Sequence, residues 1–241
     1  MNGQGPDATA RGSGSVSRAA VAKFFVVLVL FPASLFLAAG RLDWWPAWFL
    51  VALLVVLSLV GRAIMARTAP DLMAERARYT KSEGIKDWDK ILAPIVAICG
   101  PFAMWIVSGL DVRFERSPPF AISLQIAAAL VILLAYSLSA WAMTVNRFFS
   151  SVVRIQSDRG HEVVTSGPYR AVRHPGYVGG MVTTLATPIL LGSLWGLVPG
   201  GLTAAVLVLR TALEDRTLRE ELPGYAEYAQ RTRYRLLPGV W

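Results

Sequence analysis

This chain of 241 residues is nearly devoid of cysteine and histidine, with one Cys (Cys99) and two His, His161 and His174. A single thiol excludes a disulfide framework and a thiolate metal cluster. Cys99 sits inside an apolar run and reads as a small hydrophobe in a span. Charge is scarce as well: 17% of residues are charged, against 54% hydrophobic. A soluble domain of this size has too little interior for so much apolar surface, which excludes a water-soluble globular fold. No Gly-x-Gly-x-x-Gly stands between a strand and a helix, so a Rossmann-type nucleotide site is also missing.

What is present in quantity is apolar sequence in lengths suited to a bilayer. Uncharged runs fall near residues 24–40, 45–61, 91–110, 120–145, 176–191 and 195–209. Most approach the roughly 20 residues a helix needs to cross a hydrocarbon core of about 30 Å. The expected fold class is therefore all-α, a polytopic membrane helical bundle of about six spans. Net charge is +8, yet none of the 24 Lys and Arg lies within a span. With both termini in the cytoplasm, 21 of the 24 fall on the inner side and only Arg41, Arg113 and Arg116 on the outer. That asymmetry is the positive-inside rule at work, with anionic lipid headgroups as secondary partners. It speaks against a nucleic-acid partner.

Three segments follow from composition. Residues 1–18 form a Gly/Ser/Ala-rich tail expected to be disordered. Residues 19–145 hold four spans, the first read as an uncleaved helix rather than a signal peptide. Trp44, Trp45 and Trp48 supply an interfacial belt at the start of the second span. The stretch from Arg62 to Lys90 reads as a cytoplasmic helical connector. Residues 146–241 contain a polar loop, a last apolar stretch and a charged C-terminal segment. As one helix, residues 176–209 would measure about 51 Å, too long for one crossing. Gly192-Ser193 and Pro199-Gly200-Gly201 offer turns, so a helical hairpin is expected. It would return Arg210 to the side from which Tyr177 departs.

Chemistry is concentrated at the two ends of that hairpin. Before it, Ser166-Gly-Pro168 and His174-Pro-Gly176 bend the backbone twice within about ten residues. Tyr169 and Tyr177 offer faces to an adenine ring or a sulfonium. Arg170 and Arg173 are candidates for anionic groups, and the helix opened by Pro175 has amides that favour an anion. After the hairpin, Arg210 and Glu214 share one helix face. Arg210 abuts an apolar run, where a charge is costly unless it meets a partner or a cavity. An ordinary interfacial loop and a surface ion pair remain alternative readings of these residues.

These residues resemble the isoprenylcysteine carboxyl methyltransferase family, within the wider group of membrane methyltransferases that includes phospholipid N-methyltransferases. The marks are Val164-Thr-Ser-Gly-Pro-Tyr169, Arg173-His-Pro-Gly-Tyr177-Val-Gly179, Arg210 with Glu214-Asp215, and Tyr225-x-x-Tyr228, spread over roughly residues 156–241. The resemblance implies an S-adenosylmethionine (SAM)-dependent methyltransferase and makes 146–241 its methyltransferase-like region. Gln156, His161, Glu162, Val163, Val164, Tyr169, His174, Pro175, Gly176, Tyr177 and Glu214 would form the cofactor shell. Arg210 and Glu214 would be the catalytic pair, with Arg210 binding substrate. Two departures stand out: the Gln156–His161 stretch is shorter than in eukaryotic enzymes, and Asp215 replaces a second Glu. The implied reaction is O-methylation of a carboxylate on a lipophilic, isoprenylcysteine-like acceptor, with Arg210 gripping that carboxylate by two parallel hydrogen bonds. N- or S-methylation of a phospholipid or small molecule is the alternative on the same scaffold. A non-catalytic transporter or membrane interaction protein is the alternative of another class, and the near absence of polar residues deep in the spans weighs against it. No metal is expected, and the expected location is a bacterial inner membrane.

Overall fold

The computed structural model describes residues 18–78 and 83–241. Nearly all of the predicted tail lies outside the described residues. The elements are α1 (Arg18–Ala39), α2 (Trp45–Thr68), α3 (Pro70–Arg78), α4 (Asp89–Pro94), a π-helical turn (Ile95–Cys99), α5 (Gly100–Arg113), α6 (Ile122–Val145), α7 (Pro175–Leu191), α8 (Leu197–Glu221) and α9 (Tyr225–Arg231). Two single 3₁₀ turns, Ser157–Arg159 and Gly167–Arg170, interrupt the α6–α7 loop. There is no strand among the described residues. The all-helical class agrees with the sequence reading.

Among the described residues four helices are long and apolar enough to cross a membrane: Trp45–Thr68, the continuous α4–π–α5 unit Asp89–Arg113, Ile122–Val145 and Leu197–Glu221. The other two expected spans correspond to α1, whose described apolar stretch is Val29–Ala39, and to α7, with 17 residues. Pro46 and Pro175 lie in the first turns of α2 and α7, where a missing N–H costs nothing. Gly192, at φ +73°, ends α7, and the Ser193 amide returns to the Pro188 carbonyl. The hairpin turn is thus 192–196, whereas Pro199-Gly200-Gly201 lies inside α8. Chain reversal falls where left-handed backbone is needed, and a proline in a helix's first turn is no obstacle.

Bilayer-facing side chains such as Leu37, Val56, Leu134 and Leu202 are exposed. The core knits Leu35, Phe36, Trp44, Leu50, Trp105, Ile132, Leu190 and Leu191. Phe31 meets Trp105 edge-on at 5.6 Å. Helices close on one another through small residues. A Cβ on Gly109 would lie 2.7 Å from the Leu35 carbonyl of α1, and one on Gly179 would overlap the Ala135 carbonyl and Ser139 hydroxyl of α6. A second cluster, with Ala142, Tyr169, Leu222, Tyr225 and Tyr228 at its centre, caps the end where the α6–α7 loop and the C-terminal segment meet.

Because the obstacle at Gly179 is backbone, Gly179→Leu should lower the thermal midpoint in detergent, at an overpacking cost of about 1–3 kcal/mol. Gly201→Leu, where a Cβ meets nothing within 4 Å, should leave it within a degree or so. Equal midpoints for the two variants would contradict the α6–α7 contact.

Candidate functional site

Buried charge requires a partner, and each partner at this end of the bundle ties two segments together. The α6–α7 loop is strapped to α3 in this way. Arg154 binds Glu75 of α3 at 2.8 Å and Asp158 at 2.8 Å. Arg159 reaches Asp71 of α3 at 2.8 Å. Gln156, 1% exposed, spends its side chain inside the loop, donating to the Phe148 carbonyl and accepting from Arg159. Its backbone N–H donates to Nδ1 of His161, whose ring lies 4.6 Å from Phe148.

Asp215, wholly buried on α8, is the most heavily bonded side chain among the described residues. Arg173 grips it through Nε at 2.7 Å and Nη2 at 3.1 Å, and Arg235 donates at 2.9 Å. Arg219 donates at 3.1 Å and the Tyr225 hydroxyl at 3.0 Å. His174 Nε2 stands 3.4 Å away. The remaining Nη1 of Arg173 donates to the carbonyls of Thr232 and Arg233. The amides of Arg173 and His174 donate to the carbonyls of Tyr234 and Arg235. Arg173, read from sequence as a candidate for an external anion, is therefore consumed internally. It fixes the loop against α8 and the C-terminal segment.

Arg210 meets a comparable partner. Its Nε and Nη2 donate to the two carboxylate oxygens of Asp89 at 2.6 and 3.0 Å, and Nη2 also donates to the Ser151 carbonyl. Asp89, 0% exposed, accepts from the Val153 amide as well. The fork that the sequence reading reserved for an acceptor carboxylate holds an acid of the protein itself. Nη1 of Arg210 alone makes no hydrogen bond among the described residues. The Arg210 guanidinium lies 5.3 Å from the centre of the Tyr177 ring, which also stacks with His174 at 5.7 Å. The Tyr177 hydroxyl donates to Glu214 in a short hydrogen bond. The hairpin thus places Tyr177 of α7 directly against Arg210 and Glu214 of α8.

These groups surround a cavity of about 400 Å³, within the range of pockets that enclose a small-molecule ligand. Gln156, His161, Glu162, Val163, Val164, Tyr169, His174, Gly176, Tyr177, Arg210 and Glu214 all line it. Pro175 does not; it is buried at the start of α7. A Cβ on Gly176 would lie 2.5 Å from the Phe149 ring, so the bare backbone lets Phe149 close that wall. From Glu162 to Thr165 no backbone amide or carbonyl is hydrogen-bonded among the described residues. That strip therefore presents donors and acceptors to whatever it faces.

The charge pattern of the wall is selective. Of its four arginines, Arg154, Arg173 and Arg210 each have an acid partner. Two carboxylates remain without a cationic partner among the described residues, Glu162 and Glu214. One guanidinium remains without an acidic one, Arg76. Among the described residues no group of three or more His, Cys, Asp or Glu is placed to hold a metal.

Residues 127–220 match the sequence profile of the isoprenylcysteine carboxyl methyltransferase (ICMT) family. Over that stretch the chain resembles the ICMT family. The chain is 33% identical over 96 residues to a probable protein-S-isoprenylcysteine O-methyltransferase of Oryza sativa subsp. indica, covering 37% of this chain and 48% of that protein. It is 29% identical over 96 residues to protein-S-isoprenylcysteine O-methyltransferase B of Arabidopsis thaliana, covering 37% and 46%. It is also 37% identical over 92 residues to the cobalt-zinc-cadmium resistance protein CzcN of Cupriavidus metallidurans, covering 37% and 41%. The match thus spans about half the length of these relatives, or less. It begins inside α6 and ends at the last turn of α8, so it omits Tyr225-x-x-Tyr228 and includes the helix against which α7 packs.

Asp89 and Arg76 line or buttress the cavity from outside the matched stretch, and the sequence reading named neither. The criterion that singled out Arg210, a charge abutting an apolar run, applies equally to Asp89 two residues before Ile91. Arg76 carries no such signal; only the fold of α3 over the loop brings it to the cavity.

Burial, followed by the positive charges of Arg154 and Arg159, lowers the His161 pKa to about 4. The folded value lies below the unfolded value of about 6.5, so the unfolded chain takes up the proton first as pH falls. The contribution of His161 is complete above pH 6.5 and is lost between pH 6.5 and 4. His161→Asn, which keeps an acceptor near Nδ1, should show a smaller drop in thermal midpoint from pH 7 to 5 than the wild type. Parallel pH profiles would refute the neutral, buried imidazole.

Proposed function

We propose that this protein is an integral membrane SAM-dependent methyltransferase acting on a lipophilic acceptor. The supporting observation is the cavity lined mostly by residues of the matched stretch 127–220, walled by two carboxylates without a cationic partner among the described residues and by Glu162, Val163 and Val164, whose backbone groups are unbonded there. These residues fit SAM. The ligand carries an ammonium and a sulfonium, which suit Glu214 and Glu162, and a purine edge, which suits alternating amides and carbonyls. When bound, SAM supplies a methyl group on a sulfonium that is already a good leaving group.

The protein's own task is alignment and exclusion of water. Tyr177, held between His174 and Arg210, fixes the Glu214 carboxylate through its hydroxyl. Val163, Val164 and Phe149 give the wall its apolar patches. A carboxylate acceptor is ionised at neutral pH and needs no base. His174 lines the cavity with its Nε2 turned to the buried Asp215. Asp89 holds Arg210 in place, and Arg210 Nη1, with its two N–H bonds unspent among the described residues, provides a single donor nitrogen for the acceptor rather than the Nε–Nη2 fork. The preferred reaction is O-methylation of a lipophilic carboxylate; the plant relatives are named protein-S-isoprenylcysteine O-methyltransferases. Basic residues crowd the end of the bundle that carries the site, which supports a cytoplasmic position for that end and for both termini. The membrane is inferred to be a bacterial inner membrane.

Calorimetry on the detergent-purified protein should show saturable binding of S-adenosylhomocysteine, weakened tenfold or more by Glu214→Gln. Arg210→Lys, which preserves a cation for Asp89 but removes Nη1, should retain that binding and lose most transfer of radiolabelled methyl into membrane extracts. Alkali-labile label would identify an ester, and alkali-stable label an N- or S-methyl product. No saturable heat in the wild type would sink the cofactor assignment.

A further inference from the structure

Arg76 is the cation of the cavity that the protein leaves uncompensated. It projects from α3, half-buried. Its only hydrogen bond among the described residues is a long one, 3.3 Å, from Nη1 to the Phe149 carbonyl. Its guanidinium lies 5.9 Å from the centre of the Phe149 ring. Among the described residues no carboxylate comes within ion-pair distance, in contrast to Arg154, Arg173 and Arg210 on the same wall. The charged group felt most strongly by Arg76 is another cation, Arg62, and burial together with that repulsion lowers its pKa. A guanidinium stays charged in a protein all the same. A half-buried, unneutralised guanidinium with four N–H bonds unspent is costly to keep unless something else completes it.

The surroundings specify what completes it. Phe149 stands between Arg76 and the start of α7, where Gly176 admits its ring. The part of the wall contributed by the membrane helices is largely apolar: Val96 and Ala97 in the π-helical turn, Met143 on α6, and Leu207 on α8. Glu214 is contributed by the far hairpin arm and Glu162 by the α6–α7 loop. The cavity therefore offers carboxylates from one set of elements and a single cation from α3, beside side chains suited to a hydrocarbon tail.

We propose that Arg76 binds the anionic head of an amphipathic acceptor and so makes a negative charge, a carboxylate by preference, the specificity requirement of this site. The assignment rests on the methyltransferase reading for the word acceptor, but the anion site itself stands independently of it. The division of labour follows from geometry: Asp89 fills the fork of Arg210, so recognition of the anion passes to the one arginine whose fork is open. Arg76 lies outside residues 127–220, so the acceptor's charge would be read by a segment that the ICMT match does not include.

The test uses the full chain in a non-ionic detergent and three probes: S-adenosylhomocysteine, dodecanoate and methyl dodecanoate. Dodecanoate should bind the wild type saturably, with and without S-adenosylhomocysteine present. Arg76→Gln should weaken dodecanoate at least tenfold, and Arg76→Lys should recover much of that loss. S-adenosylhomocysteine affinity should stay within about twofold in both variants, which also shows that they are folded. Methyl dodecanoate, lacking the charge, should bind wild type and Arg76→Gln alike. Equal dodecanoate affinity in Arg76→Gln and wild type would overturn the proposal. So would a tenfold loss of S-adenosylhomocysteine affinity in Arg76→Gln, because the guanidinium would then be holding the cofactor's own carboxylate. Arg76-dependent dodecanoate binding in a protein that binds no S-adenosylhomocysteine would uphold the anion site while removing the methyltransferase reading.

Discussion

The carboxylate of Asp215, buried without access to water, is the constraint around which the site is built. A lone buried charge is prohibitive, and its pairing must be met by several donors at once. Here those donors come from four places: Arg173 before α7, Arg219 on α8 itself, Tyr225 on α9 and Arg235 beyond it. None of these segments can drift without exposing an unpaired charge, so their mutual position is set. His174 and Tyr177 inherit that position because Arg173 immediately precedes them. The cavity wall is thus held by an interaction that does not itself face the cavity.

The same economy governs Asp89 and Glu75, each of which neutralises one arginine that would otherwise dominate the wall. What remains after this pairing is informative. Two acids and one base are left facing the cavity, a pattern suited to a ligand of mixed charge on one side and an anion on the other. Function in this protein is read more clearly from uncancelled charges than from a census of polar residues.

Much of the fold was legible in sequence because hydropathy and basic-residue placement are one-dimensional signals. Span positions and the return of Arg210 to Tyr177 follow from run lengths and glycine punctuation alone. The pairing of Glu214 with Tyr177 became visible only with the hairpin, although the helical spacing of Arg210 and Glu214 had already put them on one face. Roles were harder to read than positions. Arg173 and Arg210 both looked available for ligands, since their partners lie 42 and 121 residues away. Asp89 and Arg76 looked like parts of a solvated connector, since nothing local tells which charge of a mixed run turns inward. Gln156 was expected among ligand contacts and lines the cavity, yet its amide is spent on Phe148 and Arg159.

α7 carries a consequence for the surrounding lipid. Its 17 residues rise about 25 Å, against about 37 Å for the 25 residues of α8. A typical hydrocarbon core is about 30 Å thick. With the base of α7 pinned at the site, the turn at 192–196, bearing the exposed Leu194 and Trp195, falls short of the opposite surface of an average bilayer. Lipids beside the hairpin must then thin to meet it, at a cost of fractions of a kcal/mol per Å.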